Sequence, residues 1–286
     1  MGKGINGKKG LLTISLFTSA IILMGYPYIA NYIFEHRTDS IVETTEKLER
    51  NMEDRKREEY ADEINKYNQE LYSGRIQLQD PFKEMFEEKE TGEYNELLNI
   101  NKNGIMGTIV IPAINIKLPI YHGTSEKILE KGIGHLEGSS LPLGGENTHT
   151  VLTGHTGLSN AKLFTDLSEM KDGEFFFLNI LGEQLVYQIN QIRIVLPTDL
   201  EELYIKKGKD YCTLVTCTPY GVNTHRLLVR GERVENEGII ENKSNFEKKR
   251  IESRWMKEYK YALKSSLGML GGSFILLYFF RKFIRH

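Results

Sequence analysis

Two apolar segments near the ends of the chain stand out in its pattern of hydrophobic and polar positions. The first, residues 11–34, carries no charge and is long enough to cross a bilayer as a helix. Lysines precede this segment, and Glu35, Arg37 and Asp39 follow it, so the positive-inside bias predicts that residues 1–10 are cytoplasmic. A cleaved signal peptide is the alternative, but no small-x-small cleavage site follows the apolar run. The prediction is a retained membrane anchor.

The second apolar segment, residues 263–280, predicts another transmembrane helix. Its uncharged run is shorter than the usual signal for a span, but the long side chain of Lys264 can reach the membrane interface. A basic tail, residues 281–286, follows and suits the cytoplasmic side. The alternative is a buried or interfacial helix. If both segments span the membrane, the residues between them form one extracytoplasmic loop.

This loop begins with a helical pattern and a turn. Residues 35–75 are dense in charged side chains, which predicts a solvated helical segment. Its apolar stripe at helical spacing consists of Ile64, Tyr67 and Leu71. The segment Asp80-Pro81-Phe82 interrupts the helical pattern, because proline disfavours helix at the residue before it. Residues 76–100 are therefore interpreted as a turn and connector.

In residues 101–235 the sequence pattern changes to short β-rich segments that are separated by glycine and proline. The predicted strands are Gly107–Ile111, Ile114–Leu118, Thr148–Leu152, Glu174–Leu178, Gln184–Ile189, Gln191–Val195, Tyr211–Cys217 and His225–Arg230. So many short strands in one domain favour a closed or partly closed β-barrel, and the fold class is therefore mainly β. A charged linker, residues 236–262, then leads to the second apolar segment.

Charge and composition narrow the possible functions. The chain has 37 basic and 39 acidic side chains, so it lacks the basic field that binds nucleic-acid phosphates. The sequence contains no Cys-x-x-Cys, no His-Glu-x-x-His and no glycine-rich phosphate loop. We therefore expect no nucleic-acid partner, no bound metal and no cofactor.

The two cysteines of the chain, Cys212 and Cys217, lie in one predicted strand. Their odd separation puts the side chains on opposite faces and the Cα atoms about 16 Å apart, whereas a disulfide needs Cα atoms within about 7 Å. They cannot pair while that strand persists, so at least one thiol is free for packing or for chemistry. Cys217 closes the strand just before a turn, where a nucleophile is held rigidly and remains reachable. Buried packing is the alternative for Cys217 and suits Cys212 better.

His155 and Arg226 are the residues that could assist such a thiol. His155 follows a predicted strand and lies between Gly154 and Gly157, which permit close backbone approach. Arg226 lies at the start of the strand that follows Cys217 across the turn. The alternative to a role in chemistry is a solvated arginine at a strand end. Surface or structural roles are expected for the other histidines, which are His36, His122, His135, His149, His225 and His286.

These residues resemble a known family. The segment Thr213–Gly231 resembles the active-site strand pair of the sortases, particularly the class C branch that polymerises pilins, and Leu152–Gly157 resembles the family's histidine segment. The resemblance extends over roughly residues 76–234, and Asp80-Pro81-Phe82 is similar to the class C lid motif. The resemblance implies an eight-stranded sortase-type β-barrel over residues 101–235. An N-terminal helical and lid segment would precede the barrel, and transmembrane helices would flank it.

The resemblance also implies a reaction at a Gram-positive cell surface. Cys217 would attack the threonyl carbonyl of an LPxTG-like sorting signal on a pilin, and a lysine amine of another pilin subunit would resolve the thioester. His155 would act as the general acid, and Arg226 would donate hydrogen bonds to the substrate and the oxyanion. Asp80, Pro81 and Phe82 would form a lid, with Asp80 paired to Arg226 and Phe82 over Cys217 or His155. A plain packing anchor is the alternative for Phe82.

Two other functions stay open on the sequence alone. One is a surface cysteine endopeptidase of the same fold, in which water resolves the thioester. The other is a non-enzymatic, membrane-tethered scaffold that binds cell-wall or pilin components.

Overall fold

The computed structural model describes residues 3–74, 78–82, 92–158, 161–235 and 254–284. The chain divides into two compact units, one made of Met1–Ala30 with Glu252–His286 and the other of Asn31–Ile251. The second unit contains the β-structure and all of the residues singled out above for chemistry.

Helices α1 (Lys3–Arg50) and α5 (Arg254–Ile284) contain the two apolar segments. The part of α1 from Ser15 to Arg50 is long and apolar enough to cross a membrane, and only 6% of its most apolar window is buried. Among the described residues, α1 alone passes this test of length and composition. A helix over the second apolar segment is confirmed, whereas its crossing of a membrane stays a prediction.

The charged helical segment divides into two helices at a corner. Helix α1 continues to Arg50, and α2 runs from Asp54 to Ser73. The guanidinium of Arg57 stabilises this corner, because it donates hydrogen bonds to the carbonyl oxygens of Glu49, Met52 and Leu181. Such bonds satisfy carbonyl groups that a helix leaves unpaired at its C-terminal end.

The predicted apolar stripe attaches α2 to the barrel. Ile64 and Leu71 are buried, and Tyr67 packs against the main core. The side chain of Asn68 adds two hydrogen bonds to the backbone of Leu141, at 2.8 and 3.2 Å. Two further helices of a single turn are α3 (Glu93–Glu96) and α4 (Glu126–Leu129).

Eight strands close into a barrel in the order β1-β2-β3-β4-β7-β8-β6-β5, which confirms the mainly β prediction. The strands are β1 (Ile105–Ile111), β2 (Ile116–His122), β3 (Ile133–His135), β4 (Thr148–Thr153), β5 (Phe175–Ile180), β6 (Glu183–Val195), β7 (Asp210–Thr218) and β8 (His225–Val234). The pairs β2–β3 and β4–β7 are parallel, and the other pairs are antiparallel. Closure removes the unpaired sheet edges that would otherwise invite association.

The predicted strands differ from the observed ones in three places. The short strand β3 was not predicted. The predicted strands Gln184–Ile189 and Gln191–Val195 are one strand, β6, because a register shift between Ile189 and Gln191 absorbs Asn190. The predicted strand Ile114–Leu118 begins only at Ile116, because Pro112–Ile114 forms a 3-10 turn and Asn115 adopts a left-handed conformation.

Two apolar clusters lie on opposite faces of strands β4, β7 and β8. Leu152, Leu214 and Val229 belong to the main core. Their strand neighbours Val151, Val215 and Leu228 belong to a second cluster, as expected because successive side chains of a strand point to opposite faces. Leu78, Leu136 and Leu203 complete this second cluster, and Phe82 packs against it.

His149 belongs to β4, and its side chain is buried against the connection from β6 to β7. Its Nδ1 lies 3.0 Å from the carbonyl oxygen of Tyr204, and its Nε2 lies 2.7 Å from the hydroxyl of Thr213. A neutral ring satisfies both contacts, with Nδ1 donating to the carbonyl and Nε2 accepting from the hydroxyl. Burial lowers the pKa of His149 from 6.5 to about 4, and the nearby charges of Arg230 and Lys206 act in the same direction.

The pKa of His149 predicts a loss of stability in acid. The unfolded chain binds a proton below pH 6.5 and the folded ring does not bind one until about pH 4. Stability from this residue is therefore present above pH 6.5 and falls as the pH drops toward 4, by about 3 kcal/mol in total. Melting curves from pH 7.5 to 4.5 should show this slope, and His149→Asn should make it shallower without removing it, because burial also lowers the pKa of His135 to about 4. An equal slope in the variant would contradict the assignment.

Candidate active site

Cys217 and Arg226 face each other across the two strands β7 and β8. The register of this antiparallel pair aligns Cys217 with Arg226 and Thr218 with His225. Directly opposed residues in an antiparallel pair lie on the same face of the sheet, so the side chains of Cys217 and Arg226 share one face and that of His225 points to the other. The Cys217 side chain is half-buried, whereas Cys212 is fully buried in the main core.

His155 comes to the same end of the barrel through the parallel pair β4–β7. The last aligned pair is Thr153 with Val215, and the backbone then continues the pairing, since Gly154 N–H donates to the carbonyl of Val215 at 3.1 Å. The hydroxyl of Thr216 donates to the carbonyl of Gly154 at 2.7 Å. These bonds hold the residue before His155 against the residues before Cys217. On its other side, the carbonyl of His155 accepts a bond from Phe164 N–H at 3.0 Å.

The segment Asp80-Pro81-Phe82 lies over this end of the barrel. Both carboxylate oxygens of Asp80 contact the guanidinium of Arg226, with Nε to Oδ1 at 2.8 Å and Nη2 to Oδ2 at 2.6 Å. The Phe82 ring centroid is 5.0 Å from Arg226 Cζ and 5.8 Å from the centroid of the His155 ring. Phe82 therefore touches the second apolar cluster on one side and the polar site on the other.

The electrostatics of the thiol follow from these neighbours. Burial raises the pKa of Cys217 above its ordinary value, the charge of Arg226 lowers it, and the charges of Asp80 and Glu126 raise it. The net shift is upward, so the thiol carries its proton at neutral pH in this arrangement. Asp80 therefore acts on the thiol in two ways, because it pairs with Arg226 and its own charge raises the pKa of Cys217.

Glu126 lies beside His155, a contact that the sequence does not predict. Its Oε1 lies 3.2 Å from His155 Nε2. The residue begins helix α4, in the connection between β2 and β3, and nothing in its local pattern indicates that this connection returns to the histidine. The barrel closure brings the two residues together.

Three of the other described histidines, for which surface or structural roles are expected, are buried within strands. His122, His135 and His149 lie within strands and are 8% exposed or less. Their ring nitrogens contact backbone carbonyls or hydroxyl groups, which accounts for their burial. In the described part of the chain, no group of three or more His, Cys, Asp or Glu side chains could hold a metal ion.

Comparison with known proteins identifies the family. Residues 109–234 match the model of the sortase domain. The chain is 33% identical to sortase D of Bacillus subtilis (strain 168) over 131 residues, which are 45% of this chain and 63% of that protein. The chain thus spans less than two thirds of the length of this curated relative.

Solved structures give a fuller match. Sortase C1 of GBS pilus island 1 is 37% identical with a TM-score of 0.64, and the match covers 70% of this chain and 94% of that one. Sortase C of Streptococcus pneumoniae is 44% identical with a TM-score of 0.64, covering 68% of this chain and 97% of that one. Each match thus covers nearly the whole of the solved chain. This chain therefore belongs to the sortase family.

Proposed function

We propose that this protein is a class C sortase, a cysteine transpeptidase that joins pilin subunits through a sorting signal. The observation that carries the proposal is the direct pairing of Cys217 with Arg226 in the ladder. The bonds that hold Gly154, next to His155, on β7 and the pairing of Asp80 with Arg226 support it. Similarity to sortases C of streptococci, one of them from a pilus island, supports the class and the pilin partner.

In the proposed reaction, the Cys217 sulfur attacks the threonyl carbonyl of an LPxTG-like signal. The thiol passes its proton to His155 as the carbon–sulfur bond forms, the peptide carbon–nitrogen bond breaks, and His155 gives that proton to the leaving amine. The guanidinium of Arg226 stabilises the oxyanion of the tetrahedral intermediate. A lysine amine of another pilin subunit then attacks the thioester, so that a carbon–nitrogen bond forms and the carbon–sulfur bond breaks. The proton that the amine loses passes through His155 to the Cys217 sulfur. This sequence needs no metal or cofactor.

The segment Asp80-Pro81-Phe82 acts in this proposal as a lid that must move before substrate enters. Asp80 occupies the two nitrogens of the Arg226 fork that the substrate would use, and Phe82 covers the ring of His155. Leu78, 8% exposed in the second apolar cluster, anchors the segment at its start. The lid can therefore open at Asp80 and Phe82 while Leu78 keeps it attached.

Replacing Asp80 and Phe82 together by alanine should accelerate modification of Cys217 by a small thiol reagent. Removal of the carboxylate lowers the thiol pKa, and removal of the ring uncovers the site. We expect at least a severalfold faster reaction with little change in melting temperature, because Leu78 and the barrel core are untouched. Gln79→Ala, at an exposed position in the same segment, is the control. An unchanged rate with a melting temperature several degrees lower would identify Phe82 as a packing anchor.

The membrane placement is part of the proposal. Residues 11–34 of α1 anchor the chain, residues 263–280 of α5 cross the membrane a second time, and the barrel faces outward. The length and apolar character of α1 and the family's place at the cell surface support the first anchor. Cysteine labelling from outside intact cells, at positions introduced before residue 10 and after residue 281, would test both crossings.

Product analysis tests the reaction itself. The full chain in detergent is incubated with a pilin that carries an LPxTG-like signal, with and without a second pilin as amine donor. A new amide between the threonine and a lysine, found by mass spectrometry, is the expected product. Hydrolysed pilin alone, even with excess amine, would instead indicate an endopeptidase, and failure to form any thioester would favour the scaffold.

A further inference from the structure

The contact between Glu126 and His155 is not explained by the reaction as proposed above. The Glu126 carboxylate lies 3.2 Å from His155 Nε2, and the imidazole is nearly buried whereas the carboxylate is largely exposed. Nε2 itself is buried and has no aligned hydrogen bond to any residue that the structure describes. A buried ring nitrogen without a hydrogen-bond partner is unfavourable. The carboxylate of Glu126 is the acceptor that lies within reach of this nitrogen.

Both residues are held by their backbones rather than by this contact. Helix α4 is tied to the barrel by Leu129, which is 1% exposed and packs close to Gly134 of β3. His155 is tied by the bonds of Gly154 to β7 and by its own carbonyl. The exposed side chain of Glu126 can therefore adjust to the ring without a change in the fold.

The charge of Glu126 also reaches the nucleophile. It is one of the charges that act on the Cys217 thiol, beside those of Arg226 and Asp80. Glu126, His155 and Cys217 thus belong to one electrostatic site, with the imidazole next to the carboxylate on its Nε2 side. For the other nitrogen, Nδ1, the described residues show no hydrogen-bond partner.

We propose that Glu126 is a positioning residue for His155, which keeps a proton on Nε2 and so leaves Nδ1 to exchange protons with the leaving and incoming amines. The inference rests on the proposed transpeptidase function. When His155 has given its Nδ1 proton to the leaving amine, the neutral ring retains its Nε2 proton against the carboxylate. It is then in the tautomer that can accept a proton from the incoming lysine at Nδ1. A carboxylate that fixes a histidine tautomer in this way acts through the ring and does not touch substrate.

The test compares Glu126→Ala, Glu126→Gln and Glu130→Gln in the full chain in detergent. Glutamine at position 126 keeps an acceptor oxygen and loses the charge, whereas alanine loses both. Glu130 is exposed at the end of the same helix and controls for a change of charge on α4. Two measurements are made: kcat and KM for transfer of a sorting peptide, and 15N spectra of the histidine rings near pH 8. A His155→Gln sample assigns the His155 signals.

We expect Glu126→Ala to lower kcat about fivefold to tenfold, a modest loss because the carboxylate is exposed. KM should change less than about twofold, and the His155 spectrum should move from the Nε2–H form toward a mixture of tautomers. Glu126→Gln should fall between Glu126→Ala and the native chain, and Glu130→Gln should match the native chain. High salt should reduce the difference between the native chain and Glu126→Ala, since an exposed charge is screened.

Three results would overturn the proposal: an unchanged His155 spectrum in Glu126→Ala, a rise in KM with kcat unchanged, or an equal loss in Glu130→Gln. If the native chain transfers no peptide, the proposed function fails, and the spectra alone decide on Glu126. A tautomer change then still supports the positioning role, and its absence rejects it.

Discussion

Replacing Cys217 by alanine is expected to abolish both thioester formation and pilin joining. Alanine has no nucleophilic atom, and the described structure offers no other thiol at this end of the barrel, because Cys212 lies fully buried in the main core. Intact mass spectrometry of the chain after incubation with a sorting peptide measures the thioester directly. Gel analysis of a pilin mixture measures joining.

Cys212→Ala is the matched control for this experiment. Both substitutions remove one thiol from strand β7, but only Cys217 faces Arg226 across the ladder. The core substitution leaves a small cavity and lowers the melting temperature somewhat, while most activity should persist at temperatures where the chain is folded. Equal loss of activity in the two variants would contradict the assignment of Cys217 as the nucleophile.

Arg226→Lys should lower turnover about a hundredfold or more, although the charge is kept. The planar shape of the guanidinium suits an oxyanion. In the structure, two of its nitrogens contact the two oxygens of Asp80 side by side, at 2.8 and 2.6 Å. The same planar fork would meet a substrate carbonyl and its oxyanion, whereas an ammonium group is a single point of charge. Loss of one oxyanion donor typically costs a factor of about 100 to 1,000 in kcat.

The control is Arg230→Lys on the same strand. Arg230 stacks on the ring of Tyr211 and pairs with Glu202, away from the thiol. We expect it to keep turnover within about threefold, as for other changes outside a site. Steady-state transfer rates for the two lysine variants make the comparison. Near-normal turnover in Arg226→Lys would mean that Arg226 contributes only a distant charge.

The strand-end positions of Cys217, His155 and Arg226 could be predicted from the sequence, because alternation and turn residues place them without knowledge of the fold. Strand β3 could not, since three residues are too few to produce a periodic pattern. The two halves of β6 were separated for a related reason: the bulge at Asn190 breaks the alternation of a single strand.

Contacts between distant segments were the harder part of the site. The pairing of Asp80 with Arg226 joins residues 146 positions apart, and only a resemblance to the class C lid suggested it. Glu126 was missed because an exposed glutamate at the start of a short helix resembles any solvated charge. Its meeting with His155 depends on how β3 and β4 close the barrel, which no local pattern of residues records.

The alignment of Cys217 with Arg226 is set by the register of the two strands, and the loop that joins them adds one contact, from Arg226 Nη1 to the carbonyl of Asn223 at 3.2 Å. Residues between Thr218 and His225 contribute no aligned pair to the ladder, and Tyr220 and Val222 there are exposed. The exposed side chains of this loop can therefore change while Cys217 and Arg226 keep their register. A one-residue insertion inside either strand, by contrast, would turn Cys217 or Arg226 to the opposite face of the sheet.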